Sequence, residues 1–71
     1  MGMKEIEITL NGMKEKVLDG ISIAQLIECY NESNTALIVE RNGKFVYPKK
    51  YGATFLCDGD RVEFIQAAYG G

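Results

Sequence analysis

Asp58-Gly59-Asp60-Arg61-Val62-Glu63-Phe64-Ile65-Gln66 decides the fold, because it holds the last strand and that strand's place in a sheet sets the topology. Asp58-Gly59-Asp60 reads as a tight turn, and Val62 and Phe64 fall on one face of the strand that follows. Laid beside the first strand of the chain, this one would run parallel to it. The chain would then leave the sheet at the strand's far end.

The first strand is easy to find. Residues 4–10 alternate strictly, with Ile6, Ile8 and Leu10 on one face and Glu5, Glu7 and Thr9 on the other, as in a half-buried strand. Asn11-Gly12 suits the positive φ angles of a two-residue hairpin turn, and residues 13–18 return as a second strand. Ser22 with Gln25 three residues on makes a capping box, and Ile21 can pack on Leu26 as a hydrophobic staple. A helix is therefore expected over roughly residues 23–31. It would turn Ile23, Leu26, Ile27 and Tyr30 inward and Gln25, Glu28 and Glu32 outward, with the polar run Asn31 to Asn34 ending it.

Between helix and last strand, Ala36-Leu37-Ile38-Val39 lies in an apolar run from Thr35 to Arg41, the pattern of a strand buried on both faces. It is expected to be the central strand. Asn42-Gly43 is a second hairpin signal, answered by a short strand over residues 44–47 that Pro48 stops. Lys49 to Leu56 has no clean period and reads as a loop or a short 3₁₀ turn. The order of elements implies an α+β domain: a mixed four- to five-stranded sheet with one main helix packed across one face. That arrangement is the β-grasp, or ubiquitin-like, fold. The domain is expected to cover residues 1–68, with 69–71 as a tail.

Bulk properties exclude several functions. A chain of 71 residues builds one small core. At 46% apolar and 25% charged it is composed as a folded protein, and its net charge of −2, with cations scattered apart from Lys49-Lys50, argues against nucleic acid. No apolar run approaches a membrane span and no signal peptide opens the chain, so a cytoplasmic protein is expected. Gly2 does not begin a myristoylation motif, since Ile6 stands where Ser or Thr is needed. Histidine is absent, which removes the commonest general base and metal ligand. Cys29 and Cys57 are expected to be reduced and partly buried, and without a CxxC pair they make no zinc site. No catalytic residue and no metal site is expected.

The chemistry is carried instead by the ending, Gln66-Ala67-Ala68-Tyr69-Gly70-Gly71. Glycine packs nothing and loses the most freedom when ordered, so two terminal glycines do little for a fold. Chance gives such a pair in about one chain in two hundred at average usage. A terminal Gly-Gly does offer a free carboxylate on a thin stalk that passes through a narrow channel into another protein's active site.

These residues together carry a resemblance. The Leu10-Asn11-Gly12 hairpin, the helix start Ile23-Ala24-Gln25-Leu26-Ile27, the run Ala36 to Gly43, the block Asp58-Gly59-Asp60-Arg61-Val62-Glu63 and the terminal Gly70-Gly71 resemble the ThiS and MoaD sulfur carriers. The likeness spans the whole chain and is stronger to ThiS, the carrier that feeds thiazole synthesis in thiamine biosynthesis. The tail lacks the Pro-Pro pair common in MoaD proteins, and it places Tyr69 where ThiS tails usually carry smaller residues.

The resemblance implies a carrier that is a substrate of partner enzymes and not itself an enzyme. An E1-like adenylyltransferase of the ThiF/MoeB type would use ATP to activate Gly71. A sulfur donor such as a cysteine desulfurase persulfide would convert it to a thiocarboxylate, and thiazole synthase or another sulfur-accepting enzyme would take the sulfur. No permanently bound cofactor is implied. Gly70 and Tyr69 would thread into the partner, and Arg61, Glu63 and Ile65 are candidate partner contacts, although Arg61 and Glu63 read equally well as plain outward residues. Phe45, Tyr47, Ile65 and Tyr69 could form an exposed docking patch; core or edge packing is the expectation for Phe45 and Ile65, exposure for Tyr69. Lys49-Lys50 could steer an acidic partner, with a simple solvated pair as the expectation. The alternatives are a MoaD-like carrier for molybdopterin synthesis, a ubiquitin-like protein modifier, and a non-covalent interaction module.

Overall fold

The computed structural model describes residues 4–30 and 36–66 of the chain. Within them are β1 (Glu5–Leu10), β2 (Met13–Leu18), α1 (Ile23–Cys29), β3 (Leu37–Arg41), β4 (Lys44–Val46), a 3₁₀ helix (Pro48–Ala53) and β5 (Arg61–Gln66). The sheet has five strands in the order β2-β1-β5-β3-β4. β5 runs parallel to β1 and antiparallel to β3, so it is inserted between the β1-β2 and β3-β4 hairpins. This is the β-grasp topology expected from the element order.

Each hairpin turn is built as its sequence dictates. Asn11 and Gly12 have φ of 51° and 84°, and Asn42 and Gly43 have 53° and 82°, the left-handed values that let a two-residue turn follow the twist of its strands. The Ser22 hydroxyl accepts from the Gln25 N–H at 3.1 Å, and the Gln25 side-chain carbonyl accepts from the Ser22 N–H at 2.9 Å, completing the capping box. A helix of 7 residues is too short to persist alone. It is held by packing: Ile23 and Leu26 are 0% exposed, each worth about 1.5–3 kcal/mol of burial. The crossing segment straps the helix start down through Ile23 N–H to the Thr54 carbonyl and Leu56 N–H to the Ile21 carbonyl, both at 2.9 Å.

The core lies between the helix and one face of the sheet. Ile6, Ile8 and Leu10 of β1, Val62 and Phe64 of β5, and Leu37 and Val39 of β3 all point into it. Register and alternation place Glu5, Glu7 and Thr9, then Arg61, Glu63 and Ile65, then Ile38 and Glu40, then Phe45 on the opposite face, which no element covers among the described residues.

Four expectations are corrected here. The central strand is β5, not β3, and β3 alternates, with Leu37 and Val39 buried but Ile38 only half-buried. The apolar run from Ala36 looked doubly buried because Ile38 belongs to an apolar patch on the open face. The helix stops at Cys29 with Tyr30 as its C-cap, and Tyr30 is exposed, with partial desolvation and then the nearby Glu15 carboxylate raising its hydroxyl pKa. Cys29 and Cys57 are both exposed free thiols, not partly buried ones. The run Asn31 to Asn34, Glu32 and Thr35 lie outside the described residues.

Candidate functional site

The last described element before the end of the chain is β5. Its entry turn is Asp58-Gly59-Asp60, where Gly59 takes φ +89°, a conformation that an L side chain resists, and donates its N–H to the Glu7 carbonyl at 2.8 Å. Asp58 Oδ1 accepts from the Glu7 N–H at 2.8 Å. Asp60, only 7% exposed, is the hub of the turn. Its Oδ2 accepts from the Cys57 N–H at 2.8 Å and from Arg41 Nε at 2.9 Å, and its Oδ1 accepts from Asn42 Nδ2 at 3.0 Å. One carboxylate thus ties the start of β5 to β3 and to the turn after it.

Both hairpin asparagines also hold β5. The Asn42 N–H donates to the Arg61 carbonyl at 2.7 Å while Asn42 Oδ1 accepts from the Arg61 N–H at 2.8 Å. On the other flank, the Asn11 N–H donates to the Val62 carbonyl at 3.0 Å and Asn11 Oδ1 accepts from the Phe64 N–H at 2.8 Å. Beyond Phe64 the strand runs past the end of the β1 ladder, with Ile65 and Gln66 still in register with Ile38 and Leu37 of β3. A rigid, doubly clamped strand therefore delivers the chain to the sheet's end at Gln66, five residues before Gly71.

The fold is shared with known proteins. The family model described as the ThiS family matches residues 4–71. The chain belongs to the ThiS family. It is similar to the crystal structure of the thiamine biosynthesis protein ThiS from Geobacter metallireducens, with a TM-score of 0.82 and 28% identity over 93% of this chain and 100% of that one. A solution NMR structure of a thiamine biosynthesis protein from the same organism gives a TM-score of 0.74 and 28% identity, covering 93% of this chain and 88% of that one. No curated protein matches the sequence.

Of the ThiS-type site residues, Tyr69, Gly70 and Gly71 lie outside the described residues. Arg61, Glu63 and Ile65 are brought together on the open face of β5, all exposed. Ile65, 38% exposed, faces Ile38 across the ladder; Phe45 and Tyr47, 48% and 60% exposed, stack edge-to-face at 4.7 Å on the neighbouring edge. Phe45 and Ile65, expected in core or edge packing, are therefore not core residues, because α1 covers the other face; Phe45 packs at the sheet edge against Tyr47. They form an apolar patch beside the strand that leads to the tail, with Glu40 and Glu63 in register next to it.

Asp60, Asn11 and Asn42 were missed as site residues by sequence reasoning. Their turn-forming roles were visible in the Asn-Gly and Asp-Gly pairs; the contacts of the two asparagines to a strand 19 to 53 residues away were not. Burial alone would raise the Asp60 pKa, but the hydrogen bonds from Cys57, Asn42 and Arg41 and the charge of Arg41 outweigh it and hold the carboxyl below its ordinary 3.8. A depressed folded-state value means stability that is complete above the unfolded pKa and lost as pH falls through the folded one. We expect acid unfolding to begin below about pH 4 and to be blunted in Asp60→Asn, measured as the thermal midpoint against pH. Identical acid profiles for the two proteins would contradict that assignment.

Proposed function

We propose that this chain is a sulfur carrier of thiamine biosynthesis that works through a thiocarboxylate on Gly71. The single observation that carries the proposal is the ThiS-family match over residues 4–71, which includes the terminal Gly70-Gly71. The fold is compatible with it: the clamped β5 ends at Gln66 beside an exposed apolar patch, and in this reading residues 1–68 serve as a body for the tail at 69–71.

The steps follow from carboxylate chemistry. A Gly71 carboxylate oxygen attacks the α-phosphorus of ATP in an E1-like partner, pyrophosphate leaves, and an acyl-adenylate forms. The terminal sulfur of a persulfide donor attacks the acyl carbon and AMP leaves. A second thiol then cleaves the acyl disulfide, leaving sulfur on Gly71 for an acceptor such as thiazole synthase. Apart from the Gly71 carboxylate, the reacting groups are brought by the partners, so the carrier is their substrate. Ile65 and the Phe45–Tyr47 pair dock the adenylating enzyme, with Arg61 and Glu63 at the contact's rim. Five residues after Gln66 span at most about 18 Å, so the adenylation site must open within that distance of the docked face.

ATP–pyrophosphate exchange by the cognate adenylating enzyme, dependent on added carrier, tests the activation step. Ile65→Glu is expected to raise the KM for the carrier by about tenfold or more while kcat holds, since buried apolar anchors dominate interfaces. Ile65 is exposed, so the fold should survive. An unchanged KM would remove the open face from the contact.

A further inference from the structure

Arg41, Lys44 and Lys50 converge on a cleft of about 260 Å³ at the β4 edge, walled on one side by Phe45 and Tyr47. Among the described residues no acidic side chain lines it. Arg41 is already engaged by Asp60 at 2.9 Å, but among the described residues no ion pair engages Lys44 or Lys50. Two of the chain's 8 basic residues thus stand uncompensated in one concavity of a protein whose net charge is −2. In sequence Lys50 pairs with Lys49; in the fold its companion at the cleft is Lys44, brought there by the turn after β4.

The cleft falls below the roughly 300–1,000 Å³ of small-molecule sites, so it suits side chains and not a cofactor. Nucleic acid is disfavoured by Glu40 and Glu63, which lie in register on the adjoining open face and would oppose a phosphate backbone. Cations beside an aromatic pair fit carboxylates followed by an apolar side chain. We propose that this cleft docks an acidic segment of a partner protein, its carboxylates on Lys44 and Lys50 and its apolar residue against the Phe45–Tyr47 pair. The cleft shares those rings with the open face, and its charge would orient a partner before the tail engages. The proposal stands whether or not Gly71 accepts sulfur.

The test is an NMR titration of the isotope-labelled full chain with a capped Glu-Glu-Phe-Glu-Glu peptide, a lysine counterpart of the same length, and oligothymidylate. The acidic peptide is expected to shift amides in residues 44–54, more weakly as salt rises. Affinity should fall about tenfold in Lys44→Glu/Lys50→Glu, whose two exposed sites leave the fold intact, and partially in Lys44→Ala/Lys50→Ala. Absent shifts, shifts shared equally with Lys4, Lys14 and Lys16, an undiminished response in both double variants, or equal binding of oligothymidylate would overturn the proposal.

Discussion

Replacing Asp60 with alanine is expected to cost the domain about 2–3 kcal/mol of stability. The carboxylate satisfies the Cys57 N–H, Arg41 Nε and Asn42 Nδ2 at once while nearly buried, so its loss strands three donors around the entry to β5. Arg41 is partly exposed and can turn to water, which keeps the loss below that of a fully buried ion pair. One-core domains of this size rarely hold more than roughly 3–5 kcal/mol, so the variant should be partly unfolded at room temperature. Asp58→Ala, two residues away, removes one acceptor from the Glu7 N–H and should cost about 1 kcal/mol. Urea unfolding measures both, with midpoints shifted and slopes unchanged. Equal losses at the two positions would show that Asp60 is not the hub described above.

The second large effect falls on catalysis by the partner and leaves the fold alone. Gly71→Ala is expected to lower the kcat of adenylation by on the order of 10²-fold, because a displacement of about 1 Å at a reacting group has that consequence. An added Cβ restricts the backbone angles a narrow channel can demand, while docking through the open face continues. The KM for the carrier should change little, the reverse of the Ile65→Glu pattern. Deleting Gly70-Gly71 should abolish turnover and leave stability intact, since the core among the described residues runs from Ile6 to Phe64. A deletion variant that still supports adenylation would place the chemistry elsewhere.

Local structure was legible because it depends on local chemistry. Strict alternation in residues 4–10, the two Asn-Gly turns and the Ser22–Gln25 box each specify a backbone geometry by themselves, and each is found. What alternation leaves open is which face is covered. Ile38, Phe45 and Ile65 have the composition of core residues and lie on the open face, because the single helix packs on the other side. Which strand is central was equally hidden. The apolar run after Ala36 looked the more buried, yet β5, with Arg61 and Glu63 in it, takes the middle by inserting between the hairpins. Asp58 and Asp60 are indistinguishable in sequence and differ only through Arg41 and Asn42, brought near by that insertion. The reading of Gly70-Gly71 rests on chemistry alone, and those residues lie outside the described ones.

The intact mass of the carrier, after incubation with its adenylating enzyme, ATP and a persulfide donor, tests the central claim most directly. A gain equal to the difference between sulfur and oxygen, located at Gly71 by fragmentation and dependent on ATP, is the predicted result. An unchanged mass, with the enzyme shown to be active in pyrophosphate exchange, would contradict it.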